Sequence, residues 1–199
     1  VPYNVHLYPD KLFIFGPHFA QFPNRLVNSI NNKHNNTIYI QPSQPSVDSW
    51  IIDYNFKNLP IMAMPYGVNT EMFSENKSAT NKDRVLVYYK RRNPDDLNYV
   101  LNFLKEKNIN YTIIDYVKRY KEQDYIKYLK EAKYCIWVGS HESQGFALQE
   151  ALSSNVPLLV WSVISRSQEY PYRNYRETDK KRRVSTVPYW DNRCGEVFY

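Results

Sequence analysis

Two apolar runs with a glycine-containing stretch between them constrain the fold of this chain more than any other feature. The runs are residues 134–138 (YCIWV) and residues 156–160 (VPLLV). Runs of this length and composition are typical of buried strands, and residues 141–152 between them are enough for a turn and a helix. The sequence therefore predicts a strand-helix-strand unit of a parallel α/β sheet, in which ligands bind near the turn after the first strand.

Gly145 separates two glutamates in this stretch, and we expect the helix to begin there. Glu142 then lies in the preceding loop, and Glu150 lies in the second helical turn. The apolar stripe of the helix consists of Leu148, Ala151 and Leu152. Glu150 and Phe146, four residues apart, therefore lie on the opposite side and face away from the core.

The start of this helix is also a candidate anion site. Its residues are Ser143, Gln144, Gly145 and Phe146. The first N–H groups of a helix lack a helical acceptor and carry the positive end of the dipole, which suits a phosphate. The Glu142 and Glu150 carboxylates can accept hydrogen bonds from vicinal sugar hydroxyls. The spacing alone fits two solvent-exposed charges equally well.

The stretch resembles the donor-site signature of retaining glycosyltransferases of the GT-B fold, which has a glutamate, a glycine three residues later and a second glutamate before an alanine. Its four positions are matched by Glu142, Gly145, Glu150 and Ala151. The resemblance implies that Glu150 binds the ribose hydroxyls of a nucleotide. It also implies that Glu142, with the N–H groups of residues 144–146, holds the donor sugar and the diphosphate.

The resemblance further implies a GT-B-like α/β fold of two doubly wound, Rossmann-like parallel sheets. Residues 1–65 would form a partial N-terminal domain on the acceptor side, and residues 84–199 the C-terminal nucleotide-sugar-binding domain. Residues 66–83, which are polar and rich in turn residues, are the predicted linker. The chain resembles an internal piece of such an enzyme, complete mainly in its donor half.

Apolar runs and turn residues predict the other elements. Strands are expected at residues 11–15, 37–40, 59–64, 84–89, 111–116 and, as a fifth strand of the second domain, 184–187. A helix in the first domain is expected to begin at a cap formed by Ser46 or Asp48 and to reach about Tyr54. In the second domain an amphipathic helix is expected at residues 122–132.

A cationic turn of Lys90, Arg91 and Arg92 follows the first strand of the second domain. Asn93 as the cap and Pro94 at the first helical position then predict a helix start. In the glycosyltransferases an arginine and a lysine near this place neutralise the departing diphosphate, which implies catalytic roles for Lys90 and Arg91 beside Glu142. The alternative is a solvent-exposed basic turn, because lysine and arginine are normally exposed.

Two more positions are candidate site residues. By resemblance, the loop at residues 117–121 would pass under the nucleotide base, with the backbone of Tyr116 or Val117 binding it. His18 directly follows a predicted strand in a Gly-Pro turn and is the acceptor-side candidate. A histidine in such a turn is also compatible with a structural or merely exposed side chain.

The formal net charge of +6 and the pI near 9.1 favour anionic partners, which include nucleotide diphosphates, nucleic acids and acidic membranes. The distant cysteines Cys135 and Cys194 indicate a reducing compartment, so we expect a cytoplasmic protein. Asp95 and Asp96 are typical of a first helical turn, and we expect no metal site.

We therefore expect a hexosyltransferase-type enzyme that moves a sugar from a nucleotide-diphosphate-sugar to a glycan, lipid or protein acceptor. Retention of configuration and independence of metals are implied by the resemblance, and the donor substrate replaces any cofactor. Binding of the nucleotide-sugar without catalysis stays open. A nucleic-acid-binding protein is less favoured, because no recognised nucleic-acid-binding motif is present and no nucleic-acid partner is expected. Peripheral membrane contact and homo-oligomerisation also stay open.

Overall fold

A computed structural model describes residues 5–17, 36–75, 82–170 and 183–199. They form an α/β protein with two parallel sheets, of three and five strands, as the sequence predicts. The chain divides into two compact units, Val1–Gly67 and Val68–Tyr199, and the division falls near the start of the predicted linker. Among the described residues, no helix has both the length and the apolar composition required to cross a bilayer.

The first unit contains a three-stranded parallel sheet in the order β1-β2-β3. The strands are β1 (Phe13–Phe15), β2 (Thr37–Gln41) and β3 (Ile61–Ala63). Between β2 and β3 the chain forms helix α1 (Gln44–Asp48), which continues as a π-helical turn over Ser49–Asp53. The buried residues that pack together here are Tyr39, Trp50, Phe56 and Leu59.

Helix α1 begins earlier than the sequence pattern predicts, so the assignment of its cap to Ser46 or Asp48 is wrong. Ser43 is the N-cap, and its Oγ accepts a hydrogen bond from the Ser46 N–H at 3.4 Å. Pro45 lies in the first turn. Proline is tolerated there because the first N–H groups of a helix have no helical acceptor. Pro45 was therefore the available signal for the earlier start.

The second unit contains a five-stranded parallel sheet in the order β5-β4-β6-β7-β8. Its strands are β4 (Arg84–Lys90), β5 (Tyr111–Asp115), β6 (Ala132–Gly139), β7 (Leu158–Trp161) and β8 (Gly195–Phe198). Its helices are α2 (Pro94–Glu106), α3 (Glu122–Glu131) and α4 (Phe146–Ser153). The predicted start of α2 is confirmed, since the Asn93 side chain accepts a hydrogen bond from the Asp95 N–H at 3.1 Å.

Side chains on the two faces of this sheet form two separate cores, because successive residues of a strand point to opposite faces. On one face Leu86, Tyr88 and Trp137 pack with the buried residues of α3 and α4. The rings of Tyr88 and Trp137 are stacked, with centroids 3.9 Å apart and an angle of 9° between their planes. On the other face the buried residues of α2 pack against β4 and β6. The sheet is therefore covered by helices on both faces, as parallel sheets require.

Part of the predicted linker packs on the second unit. Phe73 is 3% exposed and belongs to the core on the α3 and α4 face. Its carbonyl accepts a hydrogen bond from Ser153 Oγ at 2.6 Å. Asn69 Oδ1 accepts hydrogen bonds from the N–H groups of Glu71 and Met72, both at 3.1 Å, and so forms a local turn.

The predicted fifth strand at residues 184–187 is wrong, because the fifth strand is β8. Leu158 of β7 pairs with Gly195, the first residue of β8. Residues 184–187 are rich in β-branched side chains, which is typical of strands. These residues instead form hydrogen bonds with groups at and after the carboxyl ends of the strands. Val163 N–H, for example, donates to Thr186 Oγ1 at 3.1 Å. These tertiary contacts replace the hydrogen-bond ladder that a strand would form with its neighbour.

Candidate functional site

Two predicted site residues form an ion pair at the carboxyl edge of the larger sheet. Lys90 ends β4 and lies opposite Gly139, the last residue of β6, so the loop that follows β6 begins beside it. Lys90 Nζ lies 2.7 Å from Glu142 Oε1, and the two side chains are 15% and 12% exposed. A pair of this kind is held more firmly than a surface ion pair, because solvent screens it less.

The Tyr116 ring lies against the cations of the turn after β4. Lys90 Nζ is 4.6 Å from the centre of this ring, and Arg91 Cζ is 5.9 Å from it. Both distances are within the range in which a cation is attracted to an aromatic face. Sequence reasoning did not identify the Tyr116 side chain. The signal was its position directly after β5, the neighbour of β4 in the sheet.

Tyr120 lies near both glutamates of the signature. Its hydroxyl lies 3.2 Å from that of Tyr88. Burial raises the pKa of Tyr120, and the nearby carboxylates of Glu150 and Glu142 add to the rise. The electrostatic field of both carboxylates therefore reaches the same phenol. We call Lys90, Tyr116, Tyr120, Glu142 and Glu150 the edge cluster.

Helix α4 presents Glu150 as the sequence predicts. Leu148 and Ala151 are buried against the sheet, whereas Glu150 is partly buried on the other side of the helix. Burial and the neighbouring carboxylate of Glu122 raise the pKa of Glu150 to about 7. Glu150 is therefore a carboxyl group that changes its charge near neutral pH, which surface glutamates do not do.

This raised pKa predicts a pH dependence of stability. A carboxyl group whose pKa is raised by folding stabilises the folded state fully below its unfolded pKa, about 4.3, and loses that contribution as the pH rises through about 7. We expect the free energy of unfolding of the Glu150→Gln variant to fall less over this range than that of the wild type. Urea titrations between pH 4.5 and 8 measure this difference, and parallel curves for the two proteins would contradict it.

Helix α4 begins at the glycine that the sequence predicts. Gly145 is the N-cap, with φ 79° and ψ 53°, and no side chain caps the helix. This left-handed conformation favours glycine. Gln144 is 2% exposed, and its Nε2 donates to Gln149 Oε1 at 2.9 Å. Ser143 and Phe146 are partly buried beside it. An anion at this helix start stays a prediction.

The cationic turn contains one structural residue. Arg92 is 3% exposed, and it donates to Asp96 Oδ2 at 2.9 Å and to the carbonyls of Gly139 and Trp161 at 3.4 and 3.1 Å. Arg92 therefore connects α2 to the ends of β6 and β7, and a solvent-exposed basic turn is wrong for this residue. Arg91 is partly buried and has φ 51°.

A histidine next to the edge cluster binds a carboxylate that the sequence gave no reason to expect. His141 Nδ1 is hydrogen-bonded to Glu169, which is 3% exposed. Burial and the positive charges of Arg166, Lys90 and Arg91 lower the pKa of His141 to about 3. Burial and these charges thus favour the neutral ring, which forms the hydrogen bond with Glu169. This bond ties the loop after β6 to the segment after β7.

Two other predicted positions are not part of the edge cluster. Val117 is 62% exposed, and its N–H donates to Asp115 Oδ1 at 3.0 Å, so this N–H is not available to a base in the structure. His18 lies outside the described residues. Within the described ranges, no three histidine, cysteine or acidic side chains form a group that could hold a metal ion.

Comparison of the chain with protein-family models, with curated proteins and with solved structures finds no match.

Proposed function

We propose that the second unit binds a nucleotide-diphosphate-sugar at the edge cluster and that the protein transfers the sugar to an acceptor. The observation that carries this proposal is the Lys90–Glu142 ion pair, which lies at the carboxyl edge of a parallel sheet in the loop that leads to α4. In open parallel sheets this edge is where ligands bind. The resemblance of residues 142–151 to the glycosyltransferase signature supplies the class of ligand.

The diphosphate would bind between the start of α4 and the cations of the turn after β4. The helix dipole and the close approach allowed by Gly145 favour an anion there. Lys90 and Arg91 add two positive charges. A bound diphosphate would compete with Glu142 for Lys90 Nζ. The Glu142 carboxylate, once released, could accept hydrogen bonds from the hydroxyls of the donor sugar.

The ribose would be held by Glu150. This carboxylate is partly buried, raises the pKa of the nearby Tyr120 phenol and lies one turn into α4, on the side away from the core. Burial and the charge of Glu122 disfavour the ionised form of Glu150 in the unliganded protein. Two vicinal hydroxyls would donate hydrogen bonds to the carboxylate, so ligand binding and ionisation of Glu150 favour each other.

Rate acceleration would come from charge stabilisation. As the bond between the sugar and the diphosphate breaks, negative charge grows on the leaving group, where Lys90, Arg91 and the start of α4 are positioned. One such donor contributes roughly 3 to 4 kcal/mol to a barrier. Retention of configuration and metal independence follow from the resemblance.

Calorimetric titration with UDP, GDP, ADP and CMP tests the donor site. We expect one of the diphosphates to bind and Glu150→Ala to weaken its binding by about 1 to 3 kcal/mol, because ribose hydroxyls lose their acceptor. The titration is best run at pH 8, where Glu150 is mostly ionised. Glu131→Ala is the matched control, because Glu131 is also a partly buried glutamate. It lies at the end of α3, where β6 begins, and therefore at the opposite edge of the sheet.

The outcomes separate the candidate functions. Binding together with release of nucleotide from a nucleotide-sugar and transfer to an acceptor supports the transferase, whereas binding without turnover selects a nucleotide-sugar-binding module. Equal losses of affinity in Glu150→Ala and Glu131→Ala would contradict the role of Glu150. If no diphosphate binds and oligonucleotides bind with a steep salt dependence, the nucleic-acid alternative is correct.

A further inference from the structure

Residues 183–187, here called the strap, pack against the chain at the carboxyl ends of β6 and β7. At one end of the strap Arg183 forms an isolated antiparallel bridge with Ser165, and Val184 N–H donates to the carbonyl of Ile164 at 3.3 Å. These partners belong to the segment that follows β7. The strap is therefore attached to the sheet edge and does not extend the sheet.

Thr186 attaches the strap most firmly. Its Oγ1 accepts a hydrogen bond from Val163 N–H at 3.1 Å and donates to the carbonyl of Gly139 at 3.5 Å. Its own N–H donates to Ser162 Oγ at 3.3 Å. Thr186 is fully buried, and its methyl group lies so close to Gly139 that a Cβ there would be 3.3 Å from it. One side chain thus joins the ends of β6 and β7.

The residue before Thr186 contacts the edge cluster directly. The carbonyl of Ser185 accepts a hydrogen bond from the Glu142 N–H at 3.1 Å. Glu142 in turn forms its ion pair with Lys90. A continuous series of contacts therefore runs from Thr186 through the Ser185 carbonyl to the Glu142 backbone and on to Lys90.

We propose that Thr186 is a positioning residue for the edge cluster. It fixes the Ser185 carbonyl, and this carbonyl holds the backbone of Glu142 so that the carboxylate points to Lys90. Thr186 does not touch the ligand. The consequence for nucleotide binding rests on the function proposed above, whereas the hold on Glu142 is measurable without any ligand.

Thr186→Val and Thr186→Ser test the inference by amide hydrogen exchange. Valine keeps the volume and the branching of threonine but removes the hydroxyl, and serine keeps the hydroxyl. We expect the Glu142 amide to exchange at least about tenfold faster in Thr186→Val, which corresponds to about 1.4 kcal/mol of lost protection. We expect Thr186→Ser to stay within about twofold of the wild type, because both hydrogen bonds of the hydroxyl remain.

Titration of the same variants with UDP, GDP and ADP measures the effect on the site. We expect the diphosphate that binds the wild type to bind about tenfold more weakly to Thr186→Val, with affinity restored in Thr186→Ser. Unchanged exchange at Glu142 in Thr186→Val would overturn the inference. Faster exchange with unchanged affinity would also overturn it, because the strap would then have only a structural role.

Two results separate this inference from the proposed function. If the wild type binds none of the three diphosphates, the proposed donor site fails, and the exchange rates alone decide whether Thr186 holds Glu142. If Thr186→Val does not fold, Ser162→Ala replaces it, since this change removes the acceptor of the Thr186 N–H with little loss of volume. Faster exchange at Glu142 in Ser162→Ala supports the inference, and unchanged exchange overturns it.

Discussion

Gly195→Ala is expected to lower the free energy of unfolding by about 3 kcal/mol or more, which places it among the most damaging single substitutions. Gly195 has φ 130°, and a Cβ on it would lie 1.9 Å from the carbonyl oxygen of Leu158. That oxygen belongs to the backbone of β7, so no side chain can rotate to relieve the contact. The first residue of β8 would have to move away from the sheet, and the packing of Val197 on the core would weaken.

Thermal unfolding measures this effect, and we expect the midpoint to fall by roughly 10 °C. Gly67→Ala is the matched control, because a Cβ on Gly67 would have no atom within 4 Å. The control tests the same chemical change at a glycine with open space around it. Equal midpoints for Gly195→Ala and Gly67→Ala would show that β8 does not require the close approach to β7.

Arg92→Met is expected to destabilise the protein by about 3 kcal/mol, the cost of removing one partner of a buried charged network. Methionine keeps most of the aliphatic volume but has no donor. The carbonyls of Gly139 and Trp161 would lose a charged donor, and Asp96 would lose its ion pair. The guanidinium also lies 5.0 Å from the centre of the Trp161 ring, so a cation–aromatic contact is lost as well.

Urea denaturation of Arg92→Met and Arg193→Met measures the difference. Arg193 also pairs with an aspartate, Asp191, but its side chain is 90% exposed. Solvent screens such a pair, so we expect no measurable change in the control. If Arg92→Met is as stable as the wild type, Arg92 does not hold the ends of β6 and β7 together.

The ion pair between Lys90 and Glu142 changes the expected role of Lys90, the cation of the edge cluster. A lysine that is already paired in the unliganded protein offers less attraction to a diphosphate than an unpaired lysine does. It also keeps Glu142 in place before a ligand arrives. Under the proposed function, exchange of partners by Lys90 would couple diphosphate binding to the availability of the Glu142 carboxylate for the sugar.

The sequence by itself determined the features that depend on neighbouring residues. Helix α2 starts at Pro94 with Asn93 as its cap because the first N–H groups of a helix need hydrogen-bond acceptors. Residues two or three positions away supply these acceptors. The start of α4 after Gly145 and the buried side of that helix follow from backbone conformation and helical periodicity. The parallel α/β class follows from the alternation of apolar runs with such helices.

Only the tertiary structure decided the features that depend on distant residues. Lys90 and Glu142 are 52 positions apart. The resemblance implies one site for both residues, but local sequence does not indicate that they form an ion pair. Arg92 is buried because the carbonyl ends of β6 and β7 meet it, whereas local composition favours an exposed turn. Residues 184–187 have the composition of a strand, yet β8 pairs with β7, and Gly195 permits the close approach of the two backbones at the first residue of β8. The physical reason is the same in each case: local sequence sets conformational preferences, and long-range hydrogen bonds and packing decide which preference prevails.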